Sequence, residues 1–108
     1  MILNSEYIFK DLSHTETKEI SNVNGELLVI QVTGNAVNKS IQILGISDLE
    51  SEEFVKLQSI NMTDFSITND IVNNGLYQID ISAVRKIRIV IESIENGTVS
   101  ILGNIKEG

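Results

Sequence analysis

The sequence predicts an all-β protein, an antiparallel β-sandwich of jelly-roll-like form, and three observations support this fold class. Apolar and polar residues alternate with a period of two over most of the chain, as in strands with one buried face. Isoleucine, valine and threonine, which favour strands, are frequent in these segments. Glycine and asparagine recur between the segments at about ten-residue spacing, which is typical of sandwiches and barrels.

The clearest alternation predicts five long strands, at residues 27–33, 40–46, 75–81, 86–92 and 98–105. Shorter strands are predicted at residues 54–57, 60–62 and 65–67. The pair Asn96-Gly97 separates the last two long strands, and it suits a type I′ turn, which needs positive φ at both central residues. The sequence therefore predicts a β-hairpin over residues 86–105.

Residues 1–22 differ from the rest, and two readings of them remain open. Tyr7, Ile8 and Phe9 form an apolar cluster, and a polar stretch follows in which Thr15, Thr17 and Ile20 suggest another short strand. This segment is either an edge strand of the sandwich or an arm that reaches a neighbouring subunit. In the second case Tyr7, Ile8 and Phe9 are the expected partner contacts. Residues 23–108 are expected to form the sandwich domain, since a chain of 108 residues suits one core.

Composition argues against several function classes. The net charge of -7 repels phosphates, so nucleic acid is not an expected partner. Without cysteine, neither disulfides nor thiolate-bound zinc can stabilise the fold. No run approaches the ~20 apolar residues of a membrane helix. The start Met1-Ile2-Leu3 lacks the basic region of a signal peptide, so we expect synthesis and folding in the cytoplasm.

Candidate metal and catalytic residues are sparse. His14, the one histidine, lies in a polar segment and makes a poor general base on its own. The acidic run Asp48, Glu50, Glu52 and Glu53 offers oxygen ligands of the kind Ca²⁺ prefers, but it lacks the glycine of a calcium-binding loop, so a solvated loop is favoured.

A carboxylate pair is the remaining catalytic candidate. Asp70 or Asp80 with Glu92 would resemble the two acids of a glycosidase, although nothing in the sequence brings them together. We therefore expect a non-enzymatic protein without a cofactor.

Aromatic and basic residues supply the candidate binding groups. Tryptophan is absent, which counts against sugar stacking. The phase of Phe54, Phe65 and Tyr77 favours core packing, whereas Tyr7 and Phe9 are candidates to face a partner.

Near the start of one strand, Arg85, Lys86 and Arg88 form a basic spot on an acidic chain. Arg85 and Arg88 are expected either to dock an acidic neighbour or to lie on a solvated strand face with cross-strand partners such as Glu92. Because proline is also absent, the sheet edges need charge, bulges or a covering partner.

The order of segments resembles small β-sandwich proteins of tailed bacteriophages, found as virion accessory proteins or as modules of larger tail proteins. The resemblance covers residues 25–104 and rests on these segments: Gly25-Glu26-Leu27-Leu28-Val29-Ile30-Gln31-Val32-Thr33-Gly34, Ser40-Ile41-Gln42-Ile43-Leu44-Gly45-Ile46-Ser47, Phe54-Val55-Lys56-Leu57, Gly75-Leu76-Tyr77-Gln78-Ile79-Asp80-Ile81, Lys86-Ile87-Arg88-Ile89-Val90-Ile91-Glu92-Ser93 and Gly97-Thr98-Val99-Ser100-Ile101-Leu102-Gly103. The family's Asp-Gly turn and tryptophan are replaced here by the acidic run and Phe54.

The resemblance implies a jelly-roll-like sandwich and a structural role in the virion, with no catalytic residues. The expected function is capsid decoration on the particle exterior, and the alternative is a carbohydrate-binding or baseplate accessory module of the phage tail. The expected partners are the major capsid protein or other virion proteins. A homo-oligomer stays open, a membrane partner is not expected, and a glycan is the less favoured ligand.

Overall fold

The computed structural model describes residues 3–47, 50 and 53–106, and side chains from Ser5 onward. Within these ranges the chain forms ten strands: β1 Leu3–Leu12, β2 Glu16–Ile20, β3 Leu27–Thr33, β4 Asn38–Ile46, β5 Val55–Lys56, β6 Ser59–Asn61, β7 Ile67–Thr68, β8 Gly75–Asp80, β9 Lys86–Glu95 and β10 Val99–Lys106. Two antiparallel sheets pack face to face, so the predicted all-β sandwich is confirmed.

The order of strands gives the topology. The first sheet runs β1-β10-β3-β8-β6-β7 and the second runs β2-β9-β4-β5. If β6 and β7 are set aside and the other eight strands are renumbered along the chain, the sheets read 1-8-3-6 and 2-7-4-5. This is the strand order of a jelly roll, a double-sheet fold of eight strands. The hairpin of β6 and β7 is therefore an addition inserted between the fifth and sixth jelly-roll strands.

The core lies between the sheets and is dominated by isoleucine. Alternate residues of each long strand point inward, and the branched side chains of the two sheets interlock. Full burial of each such side chain stabilises the folded state by about 1.5–3 kcal/mol. The central strands supply these inward-facing residues: Leu28, Ile30 and Val32 from β3, Ile41 and Ile43 from β4, Ile87, Ile89 and Ile91 from β9, and Ile101 and Ile105 from β10.

The predicted hairpin at Asn96-Gly97 is wrong. The turn does have positive φ at both residues, 53° and 146°. However, β9 pairs with β2 and β4, whereas β10 pairs with β1 and β3 in the other sheet. The chain thus crosses between the sheets at this turn, in an arch.

A second arch lies beside the first, where the loop after β3 crosses to β4. The two arches are joined by hydrogen bonds: Ala36 N donates to Thr98 O at 3.1 Å, and Thr98 N donates to Asn35 Oδ1 at 2.9 Å. These bonds satisfy backbone groups that a hairpin would have paired.

Both strands within residues 1–22 belong to the sandwich. β1 pairs with β10 at one edge of the first sheet, and β2 pairs with β9 at one edge of the second. Residues 1–22 thus supply one edge strand to each sheet. Deleting the segment would therefore remove an edge of each sheet.

Candidate interaction surfaces

The outer face of the second sheet holds the predicted basic spot. The Arg88 guanidinium lies 3.9 Å from the ring centroid of Phe54, and its Nε donates to Glu19 Oε1 at 2.9 Å. Lys86 Nζ lies 5.6 Å from the same ring, although this lysine is mostly buried. The cations attract the negative face of the ring. Phe54, predicted to pack in the core, instead serves as a platform for Arg88.

Beside this platform, a polar network spans β4, β5 and β9. Gln42 Nε2 donates to Asp70 Oδ1 at 3.0 Å and also contacts Glu92 Oε2, and Lys56 Nζ lies 3.2 Å from the same Asp70 oxygen. These hydrogen bonds, first that of Gln42 and then that of Lys56, lower the pKa of Asp70. Much of the charge on the outer face of the second sheet is therefore engaged in contacts within the protein.

The candidate catalytic residues lie on different parts of the sandwich. It brings Asp70 and Glu92 to one glutamine amide, but a general acid needs a raised pKa, and that of Asp70 is lowered. Asp80 belongs to the other sheet, where it accepts hydrogen bonds from the Ser82 amide and hydroxyl. His14 is exposed, with Nε2 3.4 Å from a carboxylate oxygen of Glu16.

Of the acidic run, Asp48 and Glu52 lie outside the described residues. Among the residues that are described, no group of three or more His, Asp or Glu side chains is arranged to hold a metal ion. In the same part of the chain, no helix is long and apolar enough to cross a membrane.

The outer face of the first sheet is more apolar. Residues paired directly across antiparallel strands share a face, so the strand registers define the outward rows. Two of these rows lie in the middle of the sheet, between a row that contains Thr33 and a row of Leu27, Asp80 and Lys106. One row runs Tyr7, Leu102, Gln31 and Leu76 across β1, β10, β3 and β8. The next row runs Asn104, Val29, Gln78, Ile60 and Ile67. Tyr7, Leu76, Ile60 and Ile67 are exposed, which gives the middle of this face an apolar character.

The other predicted contact residues divide between core and surface. Ile8 and Phe9 are buried in the core, since β1 turns their side chains inward, so neither faces a partner while β1 is in place. Arg85 is exposed in the turn before β9, where its carbonyl accepts a hydrogen bond from Val23 N. The Tyr7 side chain is exposed, so its contact with a partner stays a prediction.

Phe65 is the residue that the sequence interpretation missed. Its side chain is 70% exposed rather than packed in the core, and its backbone has φ 61°, in the left-handed region that bulky residues avoid. It sits in the turn between β6 and β7, not within a strand, so the alternating phase does not apply to it. The signal that could have revealed the turn is the spacing of Asn61 with Thr63 and of Asp64 with Ser66, which suits side-chain-capped turns.

The sheet edges are blunted without proline. β1 is interrupted by three register shifts, with left-handed Ser5 and Asp11. β2 carries exposed charged residues, and β5 and β7 each have two residues. Bulged, charged and short edges resist pairing with a foreign strand. A partner is therefore better placed to contact side chains than to add a strand.

Comparisons with known proteins agree with the fold. The family model described as XepA matches residues 4–105. The crystal structure of the SPBc2 prophage-derived protein YomS is similar, with a TM-score of 0.81 and 19% sequence identity, over 94% of this chain and 90% of that one. A search of the curated proteins gives no match.

Proposed function

Because the chain belongs to the XepA family and shares its fold with a prophage-derived protein, we propose that it is a bacteriophage protein that binds other virion proteins without catalysing a reaction. The specific role that we propose is capsid decoration on the particle exterior. The observation that carries the proposal is the outer face of the first sheet, where exposed apolar side chains lie on neighbouring strands of the jelly roll.

Physical chemistry favours docking by this face. An exposed apolar surface loses contact with water when a partner covers it, at about 25 cal/mol for each Å². The opposite outer face engages its cations with Phe54, Glu19 and Asp70 of the same chain. Such ion pairs lose part of their benefit when a partner desolvates them.

The experiment that tests the proposal is the copy number of this chain in purified virus particles. Quantitative mass spectrometry would compare it with the major capsid protein. A ratio near that of the capsid protein is expected for decoration. A ratio typical of tail-tip proteins would contradict the capsid placement and favour the baseplate alternative, whereas absence from particles would refute a virion role altogether.

The carbohydrate-binding alternative has weaker support. Tyr77 is buried, and its hydroxyl donates to Asn73 O at 2.9 Å, so this ring cannot stack on a sugar. Tyr7 remains accessible, but Lys10 Nζ lies 5.3 Å from its ring centroid. Glycan-array binding that disappears in Tyr7→Ala, with folding retained, is the result that would favour this alternative over decoration.

A further inference from the structure

The hairpin of β6 and β7, with the turn between them, has features of a binding element rather than of a core element. It lies outside the eight jelly-roll strands, at the edge of the first sheet. Ser59 is its buried strand residue, whereas Ile60 and Ile67 point outward beside Leu76. These side chains are exposed, so they do not contribute to the packing between the sheets, and Phe65 lies in the turn that joins the two strands of the hairpin.

Hydrogen bonds hold the turn in one conformation. Asn61 N donates to Ser66 O at 2.9 Å, and Phe65 N donates to Asn61 O at 2.7 Å. Two side chains cap the turn from within: Asn61 Oδ1 accepts from Thr63 N, and Asp64 Oδ1 accepts from both the amide and the hydroxyl of Ser66. Phe65 is therefore presented outward by a rigid loop, in an unfavourable left-handed conformation. A loop whose backbone is already ordered before binding loses little backbone entropy when its aromatic side chain enters a pocket.

The charged residues near Phe65 in the sequence are of one sign. From Leu57 to Val84 the sequence contains no lysine, arginine or histidine, whereas it contains Asp64, Asp70 and Asp80. Asp70 is paired with Lys56, but Asp64 stands next to Phe65 in an exposed turn. A complementary surface would carry positive charge around an apolar centre. An anionic lipid surface does not meet this requirement, because its own charge is negative and it attracts lysine and arginine rather than aspartate.

We propose that the β6–β7 hairpin inserts Phe65 into an apolar pocket of another virion protein, and that lysine or arginine side chains line the rim of this pocket. Ile60, Ile67 and Leu76 then cover the border of the pocket, and Asp64 faces the basic rim. This inference rests on the proposed virion function and names the element that carries it.

The test uses the full chain and virus particles purified without it. Phe65→Asn removes the ring, while asparagine tolerates the left-handed backbone, so this variant is expected to keep its fold and its unfolding midpoint. Val37→Asn is the matched control, because Val37 is 69% exposed and lies in the arch between β3 and β4. Loss of the aromatic anchor is expected to weaken particle binding about tenfold or more, against about twofold or less for the control.

Two variants of opposite charge at one position test the basic rim of the pocket. Thr63 is exposed at the turn, and its amide rather than its side chain takes part in the capping bonds. At low salt, Thr63→Lys is expected to weaken binding by about threefold, whereas Thr63→Glu leaves it unchanged or strengthens it. The opposite order would overturn the basic rim.

The outcomes separate this inference from the proposed function. If the unaltered chain binds particles and Phe65→Asn binds equally well, the hairpin proposal is overturned and the virion role stands. If the unaltered chain does not bind particles, both are refuted. Sedimentation of the chain alone and with phosphatidylcholine vesicles completes the test. A Phe65-dependent change in self-association or in vesicle binding would identify another occupant and overturn the proposal.

Discussion

Replacing Gly34 with alanine tests the contact between the two arches that join the sheets. Gly34 has φ 119°, a conformation that residues with a Cβ rarely adopt. A Cβ at this position would lie 2.2 Å from the carbonyl oxygen of Thr98, in the neighbouring arch. Backbone atoms cannot move aside as a flexible side chain can, so the arches must separate.

The expected loss of stability follows from the bonds at this contact. Separation would weaken the bonds between Ala36 N and Thr98 O and between Thr98 N and Asn35 Oδ1, each of which contributes about 1 kcal/mol. The unfavourable φ adds about 1 kcal/mol, and the lower entropy of the unfolded alanine chain offsets about 0.5 kcal/mol. The net loss in the free energy of unfolding is about 2–3 kcal/mol.

Thermal unfolding followed by circular dichroism measures this loss. An unfolding entropy of about 2.1 cal/mol/K per residue gives about 0.23 kcal/mol/K for 108 residues, so Tm should fall by about 9–13 °C. Gly75→Ala is the control, because Gly75 also has positive φ but its added Cβ would meet Tyr77 Cε2 at an ordinary 3.4 Å. The unfavourable φ of about 1 kcal/mol, less the same offset of about 0.5 kcal/mol, gives an expected fall in Tm of about 2 °C. Equal falls in the two variants would refute the packing of the arches.

Three further predictions concern the rest of the fold. Deletion of residues 1–12 removes β1 and two core side chains, so the unfolding free energy should fall by about 3–5 kcal/mol or more, and an unchanged Tm would contradict the role of β1. The pKa of Asp70 is lowered from 3.8, so its ionised carboxylate stabilises the fold above about pH 4, and this stabilisation is lost as pH falls through the folded-state pKa. Urea unfolding between pH 6 and pH 2 should therefore show a smaller loss of unfolding free energy at acid pH in Asp70→Asn than in the unaltered chain. Tyr77→Phe should cost about 1 kcal/mol through the lost hydrogen bond to Asn73 O. Because burial raises the pKa of Tyr77 above 10, the unaltered chain should lose stability as pH rises through that folded-state pKa, whereas urea unfolding of Tyr77→Phe should lack this alkaline loss.

The alternation of the sequence was sufficient to predict strands, because each strand records its own buried face locally. The range predicted at 27–33 is that of β3, and the other long strands differ from the prediction by a few residues at their ends. The same pattern could not identify the partner of each strand. The Asn96-Gly97 pair records a reversal of the chain, but the sheet that β10 joins depends on β1 and β3, which are distant in sequence.

The binding groups were less predictable, because their surroundings come from several strands. The engagement of Arg88 with Glu19 depends on the pairing of β9 with β2. The exposure of Phe65 depends on a turn whose capping side chains override the apolar phase of its neighbours. Tyr7 is exposed because its neighbours Ile8 and Phe9 supply the buried positions of β1, whereas the sequence prediction treated all three as partner contacts.

The position of each exposed aromatic residue decides which experiment can separate binding from folding. Tyr7 lies on β1, and that strand also carries Ile8 and Phe9 into the core. Loss of particle binding after deletion of β1 would therefore follow equally from a lost contact and from a damaged sandwich. Phe65 lies on a hairpin that the eight jelly-roll strands do not include, and its side chain is mostly in solvent. A change in binding caused by Phe65→Asn thus reports on the contact itself, because the core that positions the hairpin is left intact.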